Sequence, residues 1–265
     1  MDKFFKLLIS EWWGILLIVL IAIVLLFVVS VVLYRSFFKR LYDIVLSGVA
    51  IIVFSPILLI LIVLGSIKMK GNPFFTQFRP GKINKTTGKE KIFKLIKFRT
   101  MTCEKDENGN LLPDEKRLTK YGKILRSTSL DELPELFNIF IGDMTIVGPR
   151  PQLVRDMVFM TDDQRVRHNV RPGLTGLAQV SGRNNITWEQ KFEYDLKYIN
   201  NGISLLNDLK IIFQTVGKVL KRSDTVREGT VSDMDFGDWL LQEEKISKEE
   251  YDSKQIVARE IVRGK

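Results

Sequence analysis

The feature that most constrains this chain is an uncharged run from Trp12 to Tyr34, interrupted only by Gly14 and Ser30. As a helix rising 1.5 Å per residue it would reach roughly 34 Å, enough to cross about 30 Å of hydrocarbon. Trp12, Trp13 and Tyr34 stand at its ends, where interfacial aromatics belong. A secretory signal peptide is the alternative. The run is long for one, however, and Tyr34-Arg35 follows it in place of a small-residue cleavage site. A transmembrane anchor is therefore expected over residues 1–40.

A second uncharged stretch runs from Ile44 to Ile67, with Ser55-Pro56 near its middle. Proline removes a backbone donor and crowds the preceding turn, so a bend is expected there. Lys39 and Arg40 precede the stretch, and Lys68 and Lys70 follow it. Both basic groups favour the cytosol. A spanning helix would put one of them outside. A re-entrant hairpin that breaks at Ser55 and Pro56 keeps both inside, and residues 41–70 are read that way. Its freed backbone groups would need partners, with Ser47 and Ser55 as candidates.

The net charge is +9, its excess of Lys and Arg falls in residues 68–222, and 223–265 are net acidic. A basic block attracts phosphate esters, anionic headgroups or nucleic acid. The one cysteine, Cys103, allows no disulfide framework, and one Cys with one His excludes a Cys/His zinc cluster.

Soluble patterning begins after Gly71-Asn72-Pro73. Short strands are predicted over 74–78 and 92–98, with a polar turn at Asn84 to Gly88 between them. Leu130, Leu133, Leu136, Phe137 and Phe140 recur at helical spacing. Two amphipathic helices are predicted, over 188–199 and 205–220, each suited either to a core or to a membrane surface. Residues 223–265 are read as an acidic extension with a possible short helix and no chemistry. The fold class is thus α+β: a membrane-anchored chain with a small, mostly helical catalytic domain (71–222) and a short β-hairpin.

The densest polar site is Thr128-Ser129-Leu130-Asp131-Glu132-Leu133-Pro134. Ser129 and Glu132 have capping-box spacing, so local pattern alone favours a helix cap. A carboxylate is also a nucleophile at neutral pH, able to form an acyl phosphate. A neighbouring carboxylate could hold Mg²⁺ to neutralise a diphosphate. Lys97, Arg99, Arg126, Arg150, Arg171 and Arg183 lie in or beside turns and strand ends, and guanidinium forks match phosphate oxygens. His168 is read first as a hydrogen-bonded structural residue, with a general-base role as the alternative.

These stretches resemble a known family, the bacterial sugar transferases, which are monotopic phosphoglycosyl transferases acting on polyprenyl phosphate. The resemblance is carried by FTQFRPG (75–81), KFRTM (97–101), LRSTSLDELPELFNIFIGDMTIVGPRPQLV (125–154) and RHNVRPGLTGLAQVSGRNNITWEQKFEYDLKYIN (167–200). It implies a two-step mechanism. The carboxylate matching Asp131 attacks the β-phosphate of a UDP-sugar and expels UMP, and polyprenyl phosphate then takes the phosphosugar. It associates Glu132 with Mg²⁺ and makes Lys97, Arg126 and Arg150 the phosphate-binding set. Arg99, Arg171, Arg183 and His168 become candidates for nucleotide-sugar binding. It also implies re-entry at Ser55-Pro56, a lipid bilayer as partner with the domain on the cytosolic face of the bacterial inner membrane, and downstream glycosyltransferases as further partners. The catalytic region, with KVLKRS (218–223), is most similar to N,N′-diacetylbacillosamine 1-phosphate transferases. The anchor before Arg35 and the acidic extension depart from the smallest members. A non-catalytic scaffold of a glycan-assembly complex is the alternative, and no nucleic-acid motif is present.

Overall fold

The computed structural model describes residues 2–182, 186–221 and 234–265. Arg183 and the last two residues of the 218–223 stretch lie outside them. The chain opens with helix α1 (Asp2–Val32), a π-helical turn (Tyr34–Phe38) and helix α2 (Lys39–Lys68). By length and composition, Trp12–Val32 and Tyr34–Lys68 are each able to cross a membrane.

α2 runs unbroken through Pro56. A proline at this position cannot donate to the carbonyl of Ile52, four residues back. The Ser55 hydroxyl donates to that oxygen instead, at 2.7 Å. The two ends of α2 pack on the same domain. Near its start, Asp43 accepts hydrogen bonds from Thr145 Oγ1 (2.7 Å) and the Ile146 amide (2.9 Å). Near its end, Leu58 and Leu61 are buried against Phe98 and Leu125. Between them, Ile52, Val53 and Phe54 are exposed.

A β-hairpin follows, formed by β1 (Phe74–Ile83) and β2 (Glu90–Phe98), antiparallel from Phe74↔Phe98 to Ile83↔Glu90 with an irregularity after Pro80. The predicted strands and turn are present, with β1 five residues longer than expected. Next come α3 (Asp114–Arg117), α4 (Lys120–Ser127), a 3₁₀ turn (Leu130–Glu132) and α5 (Glu135–Ile141). The predicted apolar stripe changes phase here. Leu136 and Ile139 are buried, whereas Phe137 and Phe140 are exposed. The tighter 3₁₀ turn and Pro134 interrupt the 3.6-residue period on which the prediction rested.

The remaining elements are β3 (Thr145–Val147), α6 (Val154–Met157), α7 (Asp162–Arg165), a 3₁₀ turn (Val166–Asn169), β4 (Gly173–Thr175), α8 (Leu177–Ser181), α9 (Trp188–Lys197), a π-helical turn (Tyr198–Gly202), α10 (Leu205–Leu220), α11 (Phe236–Gln242) and α12 (Lys248–Arg263). β3 and β4 pair in parallel, an unpredicted sheet of two short strands. Its closeness requires glycine: a Cβ at Gly173 would lie 2.2 Å from the Gly148 nitrogen.

The two predicted amphipathic helices behave differently. α9 buries Trp188, Phe192 and Asp195, so it is a core helix. α10 buries Asp208 and Ile211 but leaves Leu206, Leu209, Phe213, Val216 and Leu220 exposed along one stripe. Asp208 ties α10 to the start of α2. It accepts from Lys39 Nζ at 2.5 Å and from the hydroxyls of Tyr34 and Tyr198, both at 2.7 Å. The C-terminal extension holds two helices in the described residues, where one short helix was expected, and both pack into the domain.

Candidate active site

The hairpin, α4, the 3₁₀ turn and the loop after β3 bring the candidate residues together. Lys97 lies near the end of β2, where Asn138 of α5 fixes the strand. The Asn138 carboxamide donates to the Lys94 carbonyl (2.9 Å) and accepts from the Ile96 amide (3.1 Å), so it serves as a sheet neighbour on that edge. Thr119 caps α4 by accepting from the Gly122 amide. Ser129 then takes a left-handed conformation (φ 55°) that turns the chain into Leu130–Glu132.

The predicted capping box does not form. Ser129 makes no side-chain cap. The Glu132 carboxylate faces two cations instead: its Oε1 accepts from Lys97 Nζ at 2.8 Å and from Arg150 NH2 at 3.0 Å. Charge from distant parts of the chain outweighs one local hydrogen bond. Lys97 Nζ is also 3.0 Å from Glu135 Oε1.

The three carboxyls respond differently. For Asp131, burial and then the neighbouring Glu132 charge push the carboxyl up to about 6, against Lys97, Arg126 and Arg150. Burial opposes the Glu132 charge too, but Lys97 and Arg150 outweigh it and hold this carboxyl well below the usual range. Glu135 is pushed up to about 7, chiefly by burial and further by Glu132, while Lys97 pulls the other way. The Glu132 charge in turn raises Arg150, and with Glu135 it raises Lys97 against burial.

Arg126 Nε donates to Thr100 Oγ1 at 3.1 Å, with the Asp131 charge acting on it. Asp131 takes no side-chain hydrogen bond among the described residues. Glu132 is thus locked by cations, while Asp131 stands partly buried beside three of them, uncommitted. Such a carboxylate can attack an electrophilic phosphorus whose oxygens the cations hold.

Other predicted residues make no hydrogen bond to this constellation among the described residues. Arg171 Nε donates to the Gly142 carbonyl (2.9 Å), capping α5 together with Arg40, which donates to the carbonyls of Ile139 and Phe140. Its interactions are therefore structural. His168 is buried, and its Nδ1 is 3.0 Å from Glu90 Oε1. Glu90 also takes a bidentate pair from Arg165, at 2.9 and 2.6 Å. His168 is thus held in a buried network with Glu90 and Arg165. The Arg99 backbone amide donates to the Pro73 carbonyl, and its guanidinium has no partner among the described residues. Cys103 is exposed.

Sequence reasoning missed Glu135, Asn138, Arg79 and Arg167. Glu135 follows Asp131 by four residues and Glu132 by three, a helical repeat of carboxylates visible in the sequence. Arg79, within the FTQFRPG stretch, donates to the Pro151 carbonyl at 3.1 Å. Burial and the nearby Arg150 charge bring it down to about 10. Arg167 is fully buried, pairs with Asp195 and donates to the Arg150 carbonyl at 2.7 Å.

Residues 34–222 match the family model described as "Bacterial sugar transferase". Among curated proteins, the chain is 48% identical over 182 residues to an uncharacterized sugar transferase EpsL of Bacillus subtilis, covering 69% of this chain and 87% of that protein. It is 42% identical over 191 residues to a UDP-glucose:undecaprenyl-phosphate glucose-1-phosphate transferase of Klebsiella pneumoniae, covering 68% of this chain and 40% of that one. It is 35% identical over 204 residues to an undecaprenyl-phosphate galactose phosphotransferase of Salmonella typhimurium, covering 70% and 41%. The matched region thus spans about two fifths of the Klebsiella and Salmonella relatives.

Proposed function

The chain belongs to the bacterial sugar transferase family, and from that premise we propose that it transfers a sugar 1-phosphate from a UDP-sugar to polyprenyl phosphate, releasing UMP. The observation that carries this reading is the contrast between Glu132, held by Lys97 and Arg150, and Asp131, left free beside them. An Asp131 oxygen attacks the β-phosphorus of the donor. The bond from that phosphorus to the bridging oxygen breaks, and UMP leaves. The product is an acyl phosphate carrying the sugar. A phosphate oxygen of the lipid then attacks the same phosphorus and restores the Asp131 carboxylate.

Lys97, Arg126 and Arg150 hold the phosphate oxygens and stabilise the charge that develops on them. Both Glu132 contacts use Oε1, so Oε2 would hold Mg²⁺ together with donor oxygens, ligands of the kind this ion takes. The bound ion would neutralise the diphosphate.

The setting is a membrane surface. α1 would span it; α2, helical throughout, would bend at Ser55-Pro56 without breaking and return to the same side. Support comes from the docking of both ends of α2 on one domain, the basic residues at each end, and the Ser55 bond to the Ile52 carbonyl. The exposed stripe of α10 faces the headgroups and lipid, with the domain on the cytosolic side. The named relatives use glucose and galactose, so UDP-glucose and UDP-galactose are the first donors to assay, ahead of an N-acetylated 6-deoxy sugar. The product would start a membrane glycoconjugate for downstream glycosyltransferases.

The test uses the full chain in lipid nanodiscs with undecaprenyl phosphate, Mg²⁺ and a panel of UDP-sugars. UMP release and a phosphosugar adduct on the intact protein are expected, and both vanish in Asp131→Asn. Near-normal turnover by that variant would sink the mechanism. Donor binding without turnover by the wild type would leave a scaffold role.

A further inference from the structure

The C-terminal helices α11 and α12 lie beyond the residues that match the family model, yet they pack beside the site. Phe236, 3% exposed, sits among Phe159, Met160, Trp188 and Phe192, its ring centroid 5.1 Å from those of Trp188 and Phe192. The Phe236 amide donates to Asp156 Oδ1 at 2.8 Å, and the Leu153 amide donates to Oδ2 of the same side chain. Arg155 pairs with Asp235 (3.2 Å) and Asp238 (2.9 Å). Ala258 of α12 is buried against Val154 and Met157. The extension thus holds residues 153–157, which continue directly from the Pro149-Arg150-Pro151 turn.

A second path reaches the same turn. Phe192, packed on Phe236, lies under the Arg167 guanidinium, 5.7 Å from its ring centroid. That guanidinium donates to the Arg150 carbonyl. One residue, Phe236, therefore supports Arg150 from two directions, its backbone amide through Asp156 and its ring through Phe192 and Arg167.

We propose that α11 and α12 are a positioning element of the active site: Phe236 fixes Arg150 through Asp156 and through the Phe192–Arg167 stack. The chemistry Arg150 serves rests on the transferase reading; the packing does not. An account confined to residues 34–222 leaves this support out.

The experiment uses the full chain in nanodiscs, with Phe236→Ala, Phe236→Leu, Asp238→Asn, Arg150→Lys and the exposed-site control Val257→Ala. Backbone amide exchange is followed without substrate at Gly148, Leu153, Asp156 and Met157, whose amides have native acceptors. Phe236→Ala should speed exchange there at least about tenfold, Phe236→Leu should largely restore it, and Val257→Ala should leave it unchanged. If Phe236→Ala does not fold, Asp238→Asn, which removes the negative charge that Arg155 and the Tyr251 hydroxyl share, should still speed exchange at Leu153 to Met157. With UDP-glucose, or whichever donor the panel identifies, Phe236→Ala should raise KM on the order of tenfold to a hundredfold, the scale of a small misplacement. The double variant with Arg150→Lys should lose less than the product of the two single losses. Unchanged exchange at these amides, or fully multiplicative losses, overturns the inference. Absence of UMP release from the wild type overturns the transferase reading alone, and the exchange result still decides the positioning.

Discussion

The Lys97 ammonium lies 3.0 Å from Glu135 Oε1, joining the end of β2 to the first residue of α5. It also lies 2.8 Å from Glu132 Oε1, so one cation serves two buried carboxylates. Arg150 adds a second partner to Glu132 but gives Glu135 no hydrogen bond, and the two carboxyls diverge accordingly.

That divergence makes stability depend on pH. Glu135 titrates at about 7 in the folded chain, mainly because it is buried, and at about 4.3 in an unfolded one. Between these values the folded state binds more protons, so stability falls as pH rises through the window. Glu135→Gln should flatten this slope in denaturant titrations between pH 4.5 and 7.5. Parallel curves for the two proteins would contradict the assignment.

The nucleophile gives a kinetic counterpart. Asp131 is raised to about 6 by burial and by Glu132, and in the proposed mechanism it would attack only when ionised. The value of kcat/KM should therefore fall about tenfold per pH unit below 6 and level off above it. An acid limb centred near pH 4 would mean that another group controls the rate.

Gly122 sits under the end of the hairpin. A Cβ there would lie 1.9 Å from the Thr100 carbonyl oxygen, and Thr100 Oγ1 accepts from Arg126. Gly122→Ala should push α4 away from the strand, destabilise the fold by roughly 3 kcal/mol and lower turnover by displacing Arg126. Thermal melts and UMP release check both effects. Unchanged melting would mean that this approach is looser than described.

His168 should matter to folding rather than chemistry. Removing it leaves Glu90 buried with Arg165 as its remaining side-chain partner. His168→Ala should cost roughly 1–3 kcal/mol while kcat per folded molecule holds. A large fall in kcat at unchanged stability would restore a direct role.

Legibility in the sequence followed the range of the interactions. The two apolar helices and the hairpin rest on local periodicity and turn residues, and both were readable. β3 and β4 are three residues each and separated by 25 others, too short to carry a period. The Ser129–Glu132 cap was misread because its spacing is local, whereas Lys97 and Arg150 lie 35 and 18 residues from Glu132. The family likeness pointed to Asp131 and Glu132 but gave no part to Asn138 or Arg167, whose parts depend on which backbone atoms they reach. The acidic composition of the C-terminal segment masked its few anchoring aromatics, Phe236 foremost.

The packing of α2 has a consequence for how such a chain is made. Its residues leave the ribosome before Phe98 and Leu125, the partners its inner face needs. In the proposed membrane setting the helix would wait in the bilayer, and the later domain would condense onto it. Leu58 and Leu61 each contribute roughly 1.5–3 kcal/mol on burial, a large share of the 5–15 kcal/mol that holds a typical domain together. Cutting the chain near residue 70 would not free a water-soluble enzyme; it would remove part of the template on which that enzyme folds.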